Sequence, residues 1–138
     1  MLRDIDPLIL VVDDDPTLVR MIVTRLDWHG LRSITAESGN TALQIFEAER
    51  IDLVVTDVEM PDGDGISLTR AIRKISSAPV ILLTGHRDEY RRELRNLEDV
   101  TVLKKPIPSI DIALAVEAGI ERSRGLRANP ISFPRAES

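Results

Sequence analysis

The sequence predicts an open α/β sandwich, in which one parallel β-sheet carries helices on both faces. Five short apolar runs, most of them rich in valine and isoleucine, alternate with amphipathic stretches. The runs are Leu8–Val12, Leu31–Thr35, Ile51–Thr56, Pro79–Leu83 and Val100–Leu103. Nearly continuous apolar runs are typical of strands that are buried on both faces of a parallel sheet. Strict alternation with helices and right-handed crossovers then predict helices on both sides of that sheet.

The first two helices are predicted from their capping residues. Asp15 followed by Pro16 is typical of an N-cap and a first helical turn, and Gly30 favours the end of that helix. Ser38 can cap the second helix. The apolar positions of the first helix are Leu18, Met21, Ile22 and Leu26, and those of the second are Ala42, Leu43 and Phe46.

The other three helices are predicted from apolar spacing. The stripes are Leu68, Ala71, Ile72 and Ile75 in the third helix and Tyr90, Leu94 and Leu97 in the fourth. Ser109 can cap a fifth helix from Ile110 to about Glu121. Its excess of apolar residues predicts a second buried face, against a partner, a second copy or the folded-back tail. We predict one domain over residues 1–121 and a tail over residues 122–138.

Composition excludes several classes of function. The chain has 138 residues, no cysteine and two histidines, which excludes disulfide frameworks, thiol nucleophiles and cysteine-based zinc sites. Its net charge is −5, so we expect no nucleic-acid partner. The apolar runs are too short to cross a bilayer and no signal peptide is evident, so we expect a cytoplasmic protein with no membrane partner.

Polar residues follow the predicted strands at the edge where the carboxyl ends of the strands meet. They are Asp13-Asp14-Asp15, Asp57, Thr84-Gly85-His86 and Lys104-Lys105, after the first, third, fourth and fifth strands. Clustered carboxylates repel one another and need a cation, and Mg²⁺ prefers carboxylate, water and phosphate oxygens. A carboxylate can attack phosphorus, while a lysine and a threonine hydroxyl hold the phosphoryl oxygens. The pattern therefore predicts phosphoryl-transfer chemistry.

Four segments in this order resemble the receiver domain of two-component response regulators, of the single-domain, chemotaxis-regulator type. They are Leu8-Ile9-Leu10-Val11-Val12-Asp13-Asp14-Asp15, Asp57 with the turn Met60-Pro61-Asp62-Gly63, Leu83-Thr84-Gly85, and Lys105-Pro106. The similarity extends from about Leu8 to Glu121. It implies a flavodoxin-like (βα)5 fold with a doubly wound five-stranded parallel sheet in the order 2-1-3-4-5.

The resemblance implies the groups that handle the phosphoryl group. Asp57 would be the phosphoryl acceptor, Thr84 would hydrogen-bond a phosphoryl oxygen, and Lys105 would pair with the phosphate. The peptide bond between Lys105 and Pro106 is expected to be cis, which is a minority state for such bonds.

The resemblance also implies a Mg²⁺ site. Its ligands would be Asp14 directly, Asp13 mainly through water, Asp57, and the backbone carbonyl of Glu59. The Glu59 side chain, together with His86, would flank the phosphoryl group and tune its lifetime by positioning or excluding the hydrolytic water.

The function implied is that of a signalling domain and not of an enzyme acting on a separate substrate. A histidine kinase or a histidine phosphotransfer protein would donate the phosphoryl group. The output would be a protein target or a self-dimer, reached through the fourth helix, fifth strand and fifth helix. The chain would be a stand-alone regulator or phosphorelay shuttle without a DNA-binding domain, or the receiver fragment of a larger regulator or hybrid kinase.

One position departs from the family pattern. Three residues before Lys105 the family often has an aromatic side chain that moves inward with the threonine, and this chain has Val102. We therefore hypothesise that signalling runs through Thr84, the loop after it and the fourth helix.

Two other classes of function fit parts of the sequence. Asp13-x-Asp15-x-Thr17 matches the nucleophile motif of haloacid-dehalogenase-like phosphatases, with Asp13 as the nucleophile, but Asp57 would then be idle. A flavodoxin-like FMN binder needs a phosphate loop rich in serine and threonine, and aromatic residues against the flavin. Aromatic residues make up only 3% of this chain, and its first loop is acidic.

Overall fold

The computed structural model describes residues 6–61, 64–85 and 90–128, with side chains up to residue 125. Its strands are β1 (Leu8–Val12), β2 (Arg32–Ala36), β3 (Leu53–Asp57), β4 (Val80–Thr84) and β5 (Val100–Lys104). Its helices are α1 (Pro16–Trp28), α2 (Gly39–Ala48), α3 (Gly65–Arg73), α4 (Arg91–Leu94) and α5 (Ser109–Ala128). The alternation confirms the predicted order of five strand and helix pairs.

The five strands form one parallel sheet in the order β2-β1-β3-β4-β5, as the resemblance implied. All five residues of β3 and of β4 are buried, whereas β2 and β5 at the edges are half-exposed. This gradient explains why the central strands are nearly continuous apolar runs and the edge strands contain polar residues.

Two apolar clusters lie on opposite faces of the sheet. Helices α2 and α3 cover one face, where Phe46 and Ile72 pack against Leu10 and Val54 of the strands. Helices α1 and α5 cover the other face, and their buried residues there are Ile22, Leu26, Ile112, Ala113, Val116 and Ile120. Helices on both faces confirm the doubly wound architecture.

Helices α1 and α5 are also joined by polar contacts. The Arg25 guanidinium donates to Ser109 Oγ over 3.1 Å, and His29 Nδ1 lies 2.9 Å from Glu117 Oε2. The predicted start and end of α1 are confirmed, because Asp15 accepts from the Thr17 N–H and Gly30 has a φ of +74°. Within the described residues, no helix is both long and apolar enough to span a membrane.

The helical patterns were wrong at individual positions. Met21 of α1 is 45% exposed, and Ile75 lies beyond the end of α3 and is 56% exposed, whereas Thr69 is fully buried. The Thr69 hydroxyl is tolerated there because it donates to the Gly65 carbonyl over 2.7 Å.

The fourth helix is a single turn, shorter than its apolar spacing predicted. No side chain caps it, and Arg91 and Arg92 lie at its N-terminus, where the helix dipole disfavours positive charge. Leu94 and Leu97 are only half-buried, so little packing energy extends the helix.

The fifth helix is longer than predicted and continues past Glu121 to Ala128. Arg122 supports the extension, because its guanidinium lies 2.6 Å from the Asp99 carboxylate. Residues 122–128 of the expected tail are therefore helical, and residues 129–138 lie outside the described residues. Ile110 and Leu114 of the expected second apolar face are 36% and 51% exposed.

Candidate functional site

The sheet brings the expected polar residues to one edge. Asp13 immediately follows β1, Asp57 and Thr84 end β3 and β4, and Lys105 immediately follows β5. The ladder aligns these ends, since Asp57 pairs with Leu83 and Thr84 pairs with Lys104. Parallel strands thus gather residues that are far apart in the sequence, as the sequence predicted.

Three carboxylates form an acidic cluster of Asp13, Asp14 and Asp57. One oxygen of each lies within 4.8 Å of the other two. Asp13 and Asp57 are each 3% exposed, while Asp14 is exposed to solvent. Asp13 Oδ1 accepts a hydrogen bond from the Asp15 N–H over 2.9 Å, but its buried Oδ2 has no donor among the described residues. Burying a carboxylate oxygen without a hydrogen-bond donor costs free energy. A cation bound at the acidic cluster would offset that cost.

Burial changes the protonation of the cluster. Burial is the main reason why the pKa of Asp13 is raised from 3.8 to about 6; the hydrogen bond from the Asp15 N–H opposes the shift, and the nearby charge of Asp57 adds to it. Burial also raises the pKa of Asp57, although the hydrogen bond and charge of Lys105 act in the opposite direction. The two buried carboxylates, Asp13 and Asp57, therefore lie in surroundings that disfavour their negative charge.

Lys105 supplies the positive charge of the site. Its Nζ lies 2.5 Å from Asp57 Oδ1, which meets no other donor in the described chain. Burial alone would lower the pKa of Lys105, but the hydrogen bond and charge of Asp57 outweigh that effect and the pKa is raised. The Lys105 N–H donates to the Thr84 carbonyl over 2.8 Å, and the Lys105–Pro106 peptide bond is cis as expected.

Thr84 is fully buried, and its hydroxyl donates to Glu59 Oε2 over 2.7 Å. The Tyr90 hydroxyl donates to the same oxygen over 2.9 Å. The helical spacing predicted Tyr90 as a residue half in the core, which the structure confirms, but it did not predict this contact. His86 lies outside the described residues, so the expected pairing of Glu59 with His86 stays a prediction.

The site fits a divalent cation. The acidic cluster provides only oxygen ligands, which is the donor set that Mg²⁺ prefers, and no described residue donates to the buried Asp13 Oδ2. Asp13, Asp14 and Asp57 are the side chains that would hold the ion.

The two residues that decide the phosphatase alternative are Asp15 and Asp57. Asp15 caps α1 through its Oδ1, which accepts from the Thr17 N–H over 3.0 Å, and its side chain is exposed. Asp57, which that reading leaves idle, lies instead in the centre of the site beside Lys105.

Known proteins match both the sequence and the fold. The family model for the response regulator receiver domain matches residues 9–130. The chain is 34% identical over 117 residues to the transcriptional regulatory protein GlrR of Escherichia coli strain K12, a match covering 83% of this chain and 26% of that protein.

Solved structures give the same result. A response regulator receiver domain protein from Clostridium thermocellum matches with a TM-score of 0.78 at 35% identity, covering 87% of this chain and 98% of that one. The receiver domain of the hybrid histidine kinase CckA matches with a TM-score of 0.70 at 30% identity, covering 82% and 98%.

The chain spans only a quarter to a third of the length of the curated relatives it matches. The family match, in contrast, covers nearly all of the chain, including the four segments that carry the site. The chain belongs to the response regulator receiver domain family.

Proposed function

We propose that Asp57 accepts a phosphoryl group from a phosphorylated histidine of a histidine kinase or phosphotransfer protein, with Mg²⁺ as the cofactor. The observation that carries this proposal is the placement of Asp57. Its buried carboxylate pairs with the Lys105 ammonium and has an oxygen within 4.8 Å of an oxygen of each of the other two carboxylates of the acidic cluster. This arrangement combines a nucleophile, a positive charge and a cation site in one place.

The transfer follows from the chemistry of these groups. A carboxylate oxygen of Asp57 forms a bond to phosphorus, while the bond between phosphorus and the donor imidazole nitrogen breaks. The electron pair of that bond stays on the imidazole, which leaves as a neutral ring because its other nitrogen is protonated in the phosphorylated donor. Lys105 pairs with the charge on the phosphoryl oxygens, and the Thr84 hydroxyl donates to one of them.

The acidic cluster and the Glu59 backbone carbonyl would hold Mg²⁺. When bound, the ion supplies charge neutralisation of the carboxylates and of the incoming phosphoryl oxygens. Hydrolysis of the acyl phosphate by water returns Asp57 to its starting state, so the domain turns over only its own phosphoryl group and is not an enzyme for another substrate.

The output is a protein-contact surface formed by α4, β5 and α5, which is used by a protein target or a second copy. Within this domain we propose no direct contact with nucleic acid or membrane, and we propose a cytoplasmic location. Relatives include a transcriptional regulatory protein and a hybrid histidine kinase, so the domain can also serve as the receiver of a larger regulator.

The test is intact-mass analysis after incubation with acetyl phosphate and Mg²⁺. We expect one phosphoryl adduct on the wild type, none on Asp57→Asn and a normal adduct on Asp27→Asn, an exposed carboxylate outside the site. Chelation of Mg²⁺ should abolish the adduct. Labelling of Asp57→Asn but not of Asp13→Asn would contradict the proposal and support the phosphatase reading.

A further inference from the structure

Two acceptors compete for the Thr84 hydroxyl. In this structure it donates to Glu59, whereas in the proposed phosphorylated state it would donate to a phosphoryl oxygen on Asp57. A threonine hydroxyl has a single proton to donate. That proton is given to Glu59 Oε2 over 2.7 Å. Donation to a phosphoryl oxygen therefore requires the bond to Glu59 to break.

Glu59 connects this event to another element. Its Oε2 also accepts from the Tyr90 hydroxyl over 2.9 Å, so Thr84 and Tyr90 share one carboxylate oxygen. Phosphorylation adds negative charge beside the Glu59 carboxylate while removing one of its hydrogen bonds, and both changes favour movement of Glu59 away from the site.

Tyr90 is placed to convert that movement into a change at α4. It immediately precedes this helix, is half-buried and packs with Leu94 and Val102 against the apolar cluster on the α2 and α3 face. The single turn of α4 has no buried residue and no side-chain cap, so it is weakly held. Val102 cannot act as the aromatic switch residue, whereas Tyr90 has both a ring and a hydroxyl.

We propose that Glu59 and Tyr90 are positioning residues that hold the Thr84 hydroxyl in the unphosphorylated state and convey its reorientation to α4. The proposal rests on the phosphorylation of Asp57 proposed above. Tyr90 thereby replaces the aromatic side chain that is absent at Val102.

The chain has a single tyrosine, so ring-labelled tyrosine gives one set of NMR signals that reports on Tyr90 alone. We expect the wild-type signals to shift after treatment with acetyl phosphate and Mg²⁺, in parallel with the adduct seen by mass. Glu59→Ala should shift them in the same direction without phosphorylation. Glu59→Gln, which keeps an acceptor, should retain the resting signals, as should Glu93→Gln, an exposed change on α4.

A second variant tests transmission to the helix. Tyr90→Phe keeps the ring and removes the hydroxyl, so it should form the adduct normally. The phosphorylation-induced shifts of the backbone amides of residues 91–94 should fall to less than half of their wild-type size. If the Tyr90 hydroxyl only stabilised the fold, the phosphorylation-induced amide shifts of residues 91–94 would keep their wild-type size in Tyr90→Phe.

The outcomes separate the two proposals. A normal adduct with unmoved tyrosine signals, or full amide shifts in Tyr90→Phe, would overturn the role of Glu59 and Tyr90 and leave the phosphoryl acceptor standing. Absence of any adduct on the wild type would contradict the acceptor function and, with it, the role built on it.

Discussion

At the scale of single residues, the buried carboxylate of Asp13 opposes folding at neutral pH. One of its oxygens has no hydrogen-bond donor within the part of the chain that the structure describes, and its pKa is raised to about 6, mainly because burial disfavours the charged form. The folded state therefore binds this proton more tightly than the unfolded chain, whose ordinary value is 3.8. Proton binding by Asp13 therefore stabilises the fold fully below pH 3.8, and this stabilisation is lost as the pH rises through about 6.

We predict that Asp13→Asn stabilises the Mg²⁺-free protein at pH 7 by about 1–3 kcal/mol, because it removes the buried charge and keeps an acceptor for the Asp15 N–H. The gain should disappear near pH 4. Urea unfolding at the two pH values measures both effects, with Asp27→Asn as an exposed control. An equal gain at both pH values would contradict the assignment to charge burial.

The residues of the site were predictable to different degrees. The sequence predicted three of them, Asp57, Thr84 and Lys105, because the ends of the apolar runs mark the ends of the strands, and parallel strands end at one edge of the sheet. The contact between Tyr90 and Glu59 was not predicted. Helical spacing assigns a residue to one face of a helix, but it does not show which group its hydroxyl will contact. The one feature of the sequence that could have indicated this contact is the hydroxyl of Tyr90, a predicted half-core residue that follows soon after the end of the fourth strand.

Among the elements, α3 begins close to the backbone of Asp57, the proposed phosphoryl acceptor. A Cβ added at Gly65, the first residue of α3, would lie 2.3 Å from the backbone oxygen of Asp57. Backbone cannot move aside as a side chain can, so a larger residue must separate α3 from the end of β3.

We predict that Gly65→Ala destabilises the protein by about 1–3 kcal/mol and slows adduct formation, since the shift displaces Asp57. Gly125→Ala in α5 is the matched control, because nothing lies within 4 Å of its added Cβ. That change should be neutral or stabilising by up to about 1 kcal/mol through helix propensity. Denaturant unfolding and the rate of adduct formation would show no difference between the two variants if Gly65 were not tightly packed.

The elements themselves were predicted better in kind than in length. The caps at Asp15 and Ser38 marked helix starts correctly, because their side chains do bond the free N–H groups. The lengths of α4 and α5 depend on tertiary contacts, such as the pairing of Arg122 with Asp99, that no local pattern shows. Periodicity therefore gave the existence of these helices, while packing decided where they end.

At the scale of the whole molecule, the acidic cluster joins separate parts of the sheet. A cation bound there would neutralise carboxylates that follow β1 and end β3, and so would favour the folded state only. We predict that Mg²⁺ raises the melting temperature of the wild type by several degrees. At a Mg²⁺ concentration 100 times Kd the stabilisation would be about 2.7 kcal/mol.

Thermal unfolding with increasing Mg²⁺ measures this effect. The upward shift should be strongly reduced in Asp13→Asn, which lacks one carboxylate of the acidic cluster, and retained in Asp27→Asn. A shift of the same size in all three proteins would indicate a nonspecific salt effect and not a site.

The gathering of strand ends at one edge also has a consequence for how the chain is made. The acidic pair after β1 leaves the ribosome early, whereas the lysine that offsets it follows the last strand of the sheet. Contacts between positions so far apart in the sequence form late in folding, because bringing them together closes a long segment of unfolded chain and costs conformational entropy. A nascent chain or folding intermediate without β5 in place therefore lacks the Lys105 charge beside Asp57. The complete set of site residues is therefore assembled only after the final strand has docked.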